Sequence, residues 1–147
     1  MNHNIVFQIH LFSSLYMTGV IWLIQIIHYP LFNFVGLNEW RNYHSKHIQL
    51  TNIVIAPPMF MELITLGYLF YLMPDYRSNT LMLFSAFILF SIWLTTFLIS
   101  VPIHNKLALN YDEAAINKLV QTNWIRTISW TVKSIFLIYL LNISLRH

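Results

Sequence analysis

Residues 80–101 read TLMLFSAFILFSIWLTTFLISV, an apolar run that contains no charged side chain. A helix that crosses a bilayer needs about 20 such residues, because each residue advances it by about 1.5 Å through a hydrocarbon core about 30 Å thick. Three further runs of this kind lie outward from it, at residues 5–27, 53–73 and 123–145. The sequence therefore predicts an all-α integral membrane protein, folded over residues 1–147 as one antiparallel four-helix bundle.

The composition excludes an ordinary soluble domain. Apolar residues make up 57% of the chain and charged residues 9%, and the mean hydropathy is +0.59. A soluble protein usually carries about 25% charged residues. A chain of this size could not bury so much apolar surface by itself, because small domains bury a smaller fraction of their surface. Membrane lipid is therefore an expected partner.

Several classes of function find no support in the sequence. The chain has no cysteine, which excludes disulfides, thiolate metal ligands and cysteine nucleophiles. It contains no P-loop, no G-x-S-x-G and no dinucleotide-binding glycine motif. The net charge of +3 comes from few residues and forms no basic stripe, so nucleic-acid binding is not expected.

The connections between the spans differ in length. Residues 74–79 form a tight turn, whereas residues 30–52 and 103–122 are long and polar, and short interfacial helices are expected in both. Asp112 and Glu113 suit the first turn of a helix, because acidic side chains are stabilised there. A regular helix, or a bend, is expected to begin near Pro57-Pro58, and Pro102 is expected to end the third span.

Four spans place both long links on one side of the membrane and both termini on the other. The link side carries more basic residues: Arg41, Lys46, Lys106 and Lys118, with Arg126 close by, against Arg77 and Arg146 on the termini side. Basic residues are retained in the cytoplasm. We therefore expect a multi-pass protein of the cell membrane with cytoplasmic links and external termini.

Two ionisable residues are expected deep inside the bundle. Glu62 lies about nine residues into the second span and Lys133 about ten residues into the fourth, so both reach a similar depth. An ionisable residue inside a membrane is a functional candidate by default, although a structural ion pair is the simpler alternative. Asn123, Arg126 and Lys133 share one helical face, which should point into the bundle.

Four histidines are expected in the same half of the molecule. His28 ends the first span, His104 follows the third, and His44 and His47 lie three residues apart in the first long link. Histidine is both a common proton shuttle and a common metal ligand. A metal site at His44 and His47 is one interpretation. The sequence requires no cofactor, and both haem and metal stay open.

Some of these residues resemble a four-helix membrane family that includes fungal anthrone oxygenases. The similarity is carried by residues 101–107 (VPIHNKL) and 123–126 (NWIR), and extends to residues 28–30 (HYP) and to Pro57-Pro58-x-x-x-Glu62. The chain is most similar to uncharacterised bacterial-type members with a VPxH motif followed by NWxRTxxW, here residues 123–130.

The resemblance implies oxidation of an electron-rich aromatic compound without a tightly bound organic cofactor. It would place His104 and Asn105 in the site, with Asn123 and Arg126 beside them. In this reading His104 or His28 acts as general base, Arg126 and Asn123 stabilise a developing oxyanion, and Glu62 and Lys133 set the local field. Membership of a family does not by itself define the reaction.

Two hypotheses of different kinds follow. The first is a small membrane oxygenase or oxidoreductase that acts on a lipophilic aromatic compound. The second is a non-enzymatic assembly factor or accessory subunit whose polar residues serve helix packing. A transporter is disfavoured, because four short spans with no broken-helix repeat leave little room for alternating access. The sequence is silent on the oligomeric state.

Overall fold

Four helical spans make up the computed structural model, which describes residues 3–144. Each is long and apolar enough to cross a membrane: Ile5–Phe34, Trp40–Leu72, Thr80–Leu109 and Glu113–Ile143. No strand occurs within residues 3–144. The predicted all-α four-helix bundle is confirmed. The predicted end of the fourth span, Leu145, lies outside the described residues, as does Arg146.

The described residues form helices α1 to α6 and three shorter helical segments. The first span is α1 (His3–Leu23), a first π-helical segment (Ile24–His28) and a 3₁₀ helix (Pro30–Phe34). The second is α2 (Trp40–Leu72), and α3 (Pro74–Ser78) forms the turn after it. The third is α4 (Thr80–Thr95), a second π-helical segment (Thr96–Ser100) and α5 (Val101–Leu109). The fourth is α6 (Glu113–Ser144).

The connections 35–39 and 110–112 lie together at one end of the bundle. Trp40 Nε1 donates to the Leu107 carbonyl oxygen at 2.8 Å, and Arg41 Nη2 donates to that of Leu109 at 3.3 Å. These bonds join the start of α2 to the end of α5. We call this the link end of the bundle; α3 lies at the opposite end.

The long polar links are largely extensions of the spans. Helix α2 begins at Trp40 and continues through Pro57 and Pro58, so the expectation that regular helix starts near these prolines is wrong. Each proline removes one backbone hydrogen bond. Membrane helices tolerate this where neighbouring helices and local adjustments satisfy the freed carbonyl groups. In the first link, the segment that forms a separate short helix is Pro30–Phe34.

Pro102 does not end the third span. The helix widens into the second π-helical segment and then continues as α5, in which Pro102 occupies the first turn. Proline is tolerated there, because the N–H group of a first-turn residue needs no partner within its own helix. The expected interfacial helix of the second link is therefore continuous with the third span.

Helix α6 begins where the acidic pair predicted a helix start. The Asp112 carboxylate accepts a hydrogen bond from the Ala115 backbone N–H at 2.8 Å, which caps the helix. Lys106 Nζ lies 2.6 Å from the same carboxylate. The hydrogen bond from Lys106 lowers the pKa of the Asp112 carboxyl, so this group is ionised at neutral pH and can cap α6.

The apolar core consists of two clusters stacked along the bundle. The cluster at the link end includes Met17, Met59 and Trp130, whereas the other includes Leu11, Leu66 and Leu137. On α1, α2 and α6, buried polar side chains lie between the residues of the two clusters. The fold therefore places a band of polar side chains between two apolar layers.

We predict that packing, rather than apolar character alone, stabilises this core. Leu137 is fully buried, whereas its neighbour Ile138 is 41% exposed on the outer surface. Leu137→Ala should lower the free energy of unfolding by about 2–4 kcal/mol, because it leaves a cavity. Ile138→Ala should change it by under about 1 kcal/mol. Unfolding in mixed micelles measures both values, and equal losses would contradict the core assignment.

Candidate functional site

Four histidines meet at the link end of the bundle. His28 Nε2 and His47 Nδ1 lie 2.7 Å apart, and His44 Nε2 and His104 Nδ1 lie 3.2 Å apart. The rings of His47 and His104 have their centroids 5.4 Å apart, which joins the two pairs. We call these four residues the histidine cluster. The structure thus brings together all four histidines that the sequence assigned to one half of the molecule.

The two π-helical segments lead into this cluster. The first ends at His28 itself, and the second ends four residues before His104. A π turn holds one more residue than an α turn and therefore changes the direction in which the following side chains point. His44 and His47 lie one helical turn apart on α2 and share a face.

Tyr29 adjoins the histidine cluster, and no role for it was predicted from the sequence. Its hydroxyl oxygen lies 3.1 Å from His104 Nε2, and the side chain is buried. Both ring nitrogens of His104 therefore have partners, Tyr29 on one side and His44 on the other. A neutral imidazole donates at one nitrogen and accepts at the other, so this series of groups can pass a proton along its length.

An aromatic pocket of about 390 Å³ adjoins the cluster. Its walls are formed by α2, α4, the second π-helical segment and α5, and include Met59, Phe60, Trp93 and Phe97. Its polar lining includes Tyr29, His47, Thr51, His104, Asn105 and Arg126. Small-molecule sites commonly combine this size with apolar walls and a few polar groups at one end.

His28 faces a different groove. It lines a shallower cavity of about 190 Å³ together with residues of α1 and α2, such as Val20 and Val54. Its contact with the cluster is the hydrogen bond to His47. Of the two histidines considered as general base, His104 therefore lines the aromatic pocket and His28 does not.

Arg126 is a buried cation at the pocket. Its side chain is 4% exposed, and Nη1 donates to the Asn123 side-chain oxygen at 3.2 Å. Its Cζ lies 5.2 Å from the Trp130 ring centroid, within the range of a cation–π interaction. The ion pairs within residues 3–144 are Lys106–Asp112 and Lys133–Glu62, so neither supplies a carboxylate to Arg126.

Asn123 positions Arg126 and does not line the aromatic pocket. Its amide nitrogen donates to the Gln25 side-chain oxygen at 2.9 Å, and Gln25 Nε2 in turn donates to the Val120 carbonyl oxygen. These bonds join α6 to the first π-helical segment. Asn123 therefore supports the neighbouring guanidinium, and its contact with an oxyanion stays a prediction.

Glu62 and Lys133 form a fully buried ion pair with a separation of 2.6 Å. The Ser14 hydroxyl donates to Glu62 Oε1 at 2.6 Å and lies 2.6 Å from Lys133 Nζ. Trp130 Nε1 donates to Glu62 Oε2 at 3.1 Å. We call these four residues the polar centre; they lie between the two apolar clusters and connect α1, α2 and α6.

The polar centre is distinct from the aromatic pocket. Neither Glu62 nor Lys133 lines that pocket. Trp130 contacts both groups, with Glu62 at its indole N–H and Arg126 over its ring. The predicted pairing of Glu62 with Lys133 is confirmed. Trp130 is a contact through which this pair could influence Arg126.

A polar stripe runs along α1 that was not predicted from the sequence. His10, Ser14 and Thr18 are spaced by four residues and therefore share one helical face. His10 Nδ1 lies 2.8 Å from the Thr65 hydroxyl oxygen, and Thr18 Oγ1 lies 2.8 Å from that of Ser134. The spacing alone could have identified Ser14 as the third member of the Glu62–Lys133 group.

The four histidines of the cluster are hydrogen-bonded in pairs, and their ring nitrogens do not point together at one metal position. Among the described residues, no group of three or more His, Cys, Asp or Glu side chains is placed to hold a metal ion. The ring centroids of His44 and His47, the two predicted metal ligands, lie 5.9 Å apart, and each histidine is hydrogen-bonded to a different partner. We therefore interpret these two histidines as hydrogen-bonding groups.

Comparison with known proteins assigns neither a family nor a function to this chain. No family model, curated protein or solved structure matches the chain. The similarity to the anthrone oxygenase family thus stays a prediction that depends on the residues quoted above. The coarse class is defined by the fold alone: a multi-pass helical membrane protein with four candidate spans.

We predict that the polar centre stabilises the bundle chiefly through charge balance. Glu62→Gln should lower the free energy of unfolding by about 3 kcal/mol, because it leaves the Lys133 ammonium buried without a carboxylate. Adding Lys133→Met in the same chain should recover part of that loss. Unfolding in mixed micelles measures both.

The matched control is the exposed pair Lys106–Asp112. Lys106→Met should leave stability nearly unchanged, because solvent screens an exposed pair. A double variant at Glu62 and Lys133 that is less stable than Glu62→Gln alone would contradict the charge-balance explanation.

Proposed function

We propose that this chain is a small membrane enzyme that oxidises a lipophilic aromatic compound bound in the aromatic pocket. The observation that carries the proposal is the juxtaposition of His104 and Arg126 on one apolar pocket. A histidine supplies a base near neutral pH, and an arginine stabilises negative charge that develops on oxygen. The resemblance to anthrone oxygenases supports the same class of substrate.

The exposure of the pocket walls supports entry from the membrane. Phe60 and Phe97 both line the pocket and are 52% and 58% exposed on the outer surface of the bundle. In a membrane these aromatic side chains meet lipid rather than water. A lipophilic substrate dissolved in the bilayer therefore reaches the pocket without crossing an aqueous phase.

The proposed reaction is illustrated by anthrone, for which anthrone plus O₂ gives anthraquinone plus H₂O. His104 accepts a proton from the methylene carbon through the Tyr29 hydroxyl, and Arg126 stabilises the resulting enolate oxygen. The carbanion then passes electrons to O₂ and forms a C–O bond, and the peroxide takes up a proton. Loss of the second methylene proton breaks the O–O bond and releases water, so four electrons pass from carbon to O₂.

A non-enzymatic role is the second candidate, and the polar centre favours it. Glu62 bonds each of the other three side chains, and these bonds connect three helices. Such an arrangement suits an assembly factor or accessory subunit whose polar residues hold helices together. The two candidate functions differ in what they expect of the histidine cluster. An enzyme uses it in a reaction, whereas an assembly factor or accessory subunit gives it no catalytic role.

We predict that the purified protein accelerates the oxidation of anthrone by O₂. His104→Ala should reduce the rate by about 100-fold or more, because a positioned general base contributes a factor of that order. Absorbance of anthraquinone and O₂ consumption in mild detergent measure the reaction, with protein-free micelles as background. The control is Asn33→Ala, an exposed residue at the same end that bonds Asn117. A native protein that is no faster than protein-free micelles, or a His104→Ala variant with native rate, contradicts the proposal.

We further propose that the connections 35–39 and 110–112 face the cytoplasm and both termini the exterior of the cell membrane. The absence of native cysteine makes single-cysteine labelling unambiguous. On intact cells, a membrane-impermeant maleimide should label Ser78→Cys and leave Asn110→Cys unlabelled until the cells are permeabilised. The reverse pattern would show the opposite orientation.

A further inference from the structure

The charges inside the bundle do not balance. Glu62 is paired with Lys133, whereas Arg126, buried to the same degree, has no carboxylate partner among the described ion pairs. Arginine keeps its positive charge in proteins, even where it is buried. Burial of an unpaired charge costs a large amount of free energy. The site at Arg126 is therefore electrostatically incomplete without an anion.

The guanidinium also has unused hydrogen-bonding capacity. Of its five N–H groups, one bonds Asn123, and the Tyr29 hydroxyl is a further polar group in contact with it. The Nε atom is buried and has no hydrogen-bond partner within the described part of the chain. Neither Asn123 nor a neutral tyrosine hydroxyl supplies the missing negative charge.

A second donor on the same pocket is also without a partner. Trp93 Nε1 is buried and bonds no described group, although a buried tryptophan N–H usually finds an acceptor. Trp93 and Arg126 belong to different helices, α4 and α6, and both line the aromatic pocket. Two unsatisfied donors on one pocket indicate that its ligand carries acceptor oxygen.

The wall of the pocket favours a flat ligand body. The ring centroids of Phe60 and Trp93 lie 5.4 Å apart, as do those of Trp93 and Phe97, so three aromatic side chains form a continuous series. Aromatic rings pack well against one another in offset or tilted arrangements. An aliphatic chain would fill the same volume without using this feature.

We infer that the aromatic pocket binds a lipophilic aromatic anion, with its acidic oxygen at the Arg126 guanidinium and the Trp93 N–H. This names the substrate class of the pocket and rests on the proposed function. The class comprises fused-ring carboxylates and acidic phenols or enols in their ionised form. A neutral ring compound such as anthrone fills the pocket but supplies a counter-charge to Arg126 only once it has been deprotonated to its enolate.

The test compares an anion with a neutral analogue of the same shape. Protein in nanodiscs of zwitterionic phosphatidylcholine is titrated with 9-anthracenecarboxylate and, separately, with 9-anthracenemethanol, and binding to empty nanodiscs is subtracted. The native protein should bind the carboxylate saturably and more tightly than the alcohol. Arg126→Met should weaken carboxylate binding by about 10- to 100-fold, the value of a charge-assisted hydrogen bond, and change alcohol binding by under about threefold.

Two further variants keep the inference falsifiable where Arg126→Met does not fold. Arg126→Lys retains the charge but loses the planar fork, so carboxylate binding should weaken by less than in Arg126→Met. Trp93→Phe removes the indole N–H and keeps a ring in the wall, so it should weaken the carboxylate more than the alcohol. The control is Arg41→Met, an exposed arginine at the same end whose loss should leave both affinities unchanged.

Several outcomes overturn the inference. The first is that the native protein shows no saturable carboxylate binding. The second is that Arg126→Met weakens the affinities for the carboxylate and the alcohol equally. The third is that the ratio of these two affinities is unchanged in both Arg126→Lys and Trp93→Phe. Because binding is measured without turnover, the test can distinguish failure of this inference from failure of the proposed function. Binding that depends on Arg126 without any oxidation removes the oxygenase reaction and retains the anion site. Oxidation by the native protein without saturable carboxylate binding removes the anion site and retains the oxygenase reaction.

Discussion

The requirement that a charge inside lipid be matched by an opposite charge governs this bundle. Glu62 and Lys133 lie at the junction of two apolar clusters, and each contributes its charge from a different helix. Ser14 contributes from a third helix, so the register of α1, α2 and α6 is defined at one point. Apolar contacts in lipid are weakly selective, since lipid tails compete for the same surfaces. The polar centre therefore supplies specificity that the apolar layers alone lack.

Arg126 is a buried charge without an opposite charge beside it, and it lies at the aromatic pocket. The sequence has only a few charges with which to match it, and Glu62, the buried carboxylate among the described residues, is already paired. Trp130 separates the two centres, bonding Glu62 through its edge and facing Arg126 with its ring. The protein thus holds a balanced charge pair and an unbalanced charge on the two sides of one tryptophan.

Much of this arrangement could be predicted from the sequence because lipid simplifies the problem. Hydropathy alone located the four spans, and depth along the helices placed Glu62 and Lys133 where they could pair, as they do. Helix ends were harder, since Pro57, Pro58 and Pro102 disrupt isolated helices but are accommodated inside these spans. The site was predicted in outline: His104 and Arg126 line the pocket, whereas His28 and Asn123 support it from outside. Tyr29 and Trp93 were missed because an aromatic residue in a membrane sequence carries no signal of its orientation.

The length of α2 has a consequence for how compounds would move through the protein. Its residues Trp40–Leu72 extend for roughly 50 Å, well beyond a hydrocarbon core of about 30 Å. With Glu62 near mid-depth, His47 lies roughly 22 Å away along the helix, at the level of the lipid headgroups. Phe60 and Phe97, which line the aromatic pocket, lie closer to mid-depth and meet the acyl chains instead. Under the proposed function, a lipophilic substrate would therefore enter from the acyl chains, and a more polar product would leave past His47 towards the headgroups.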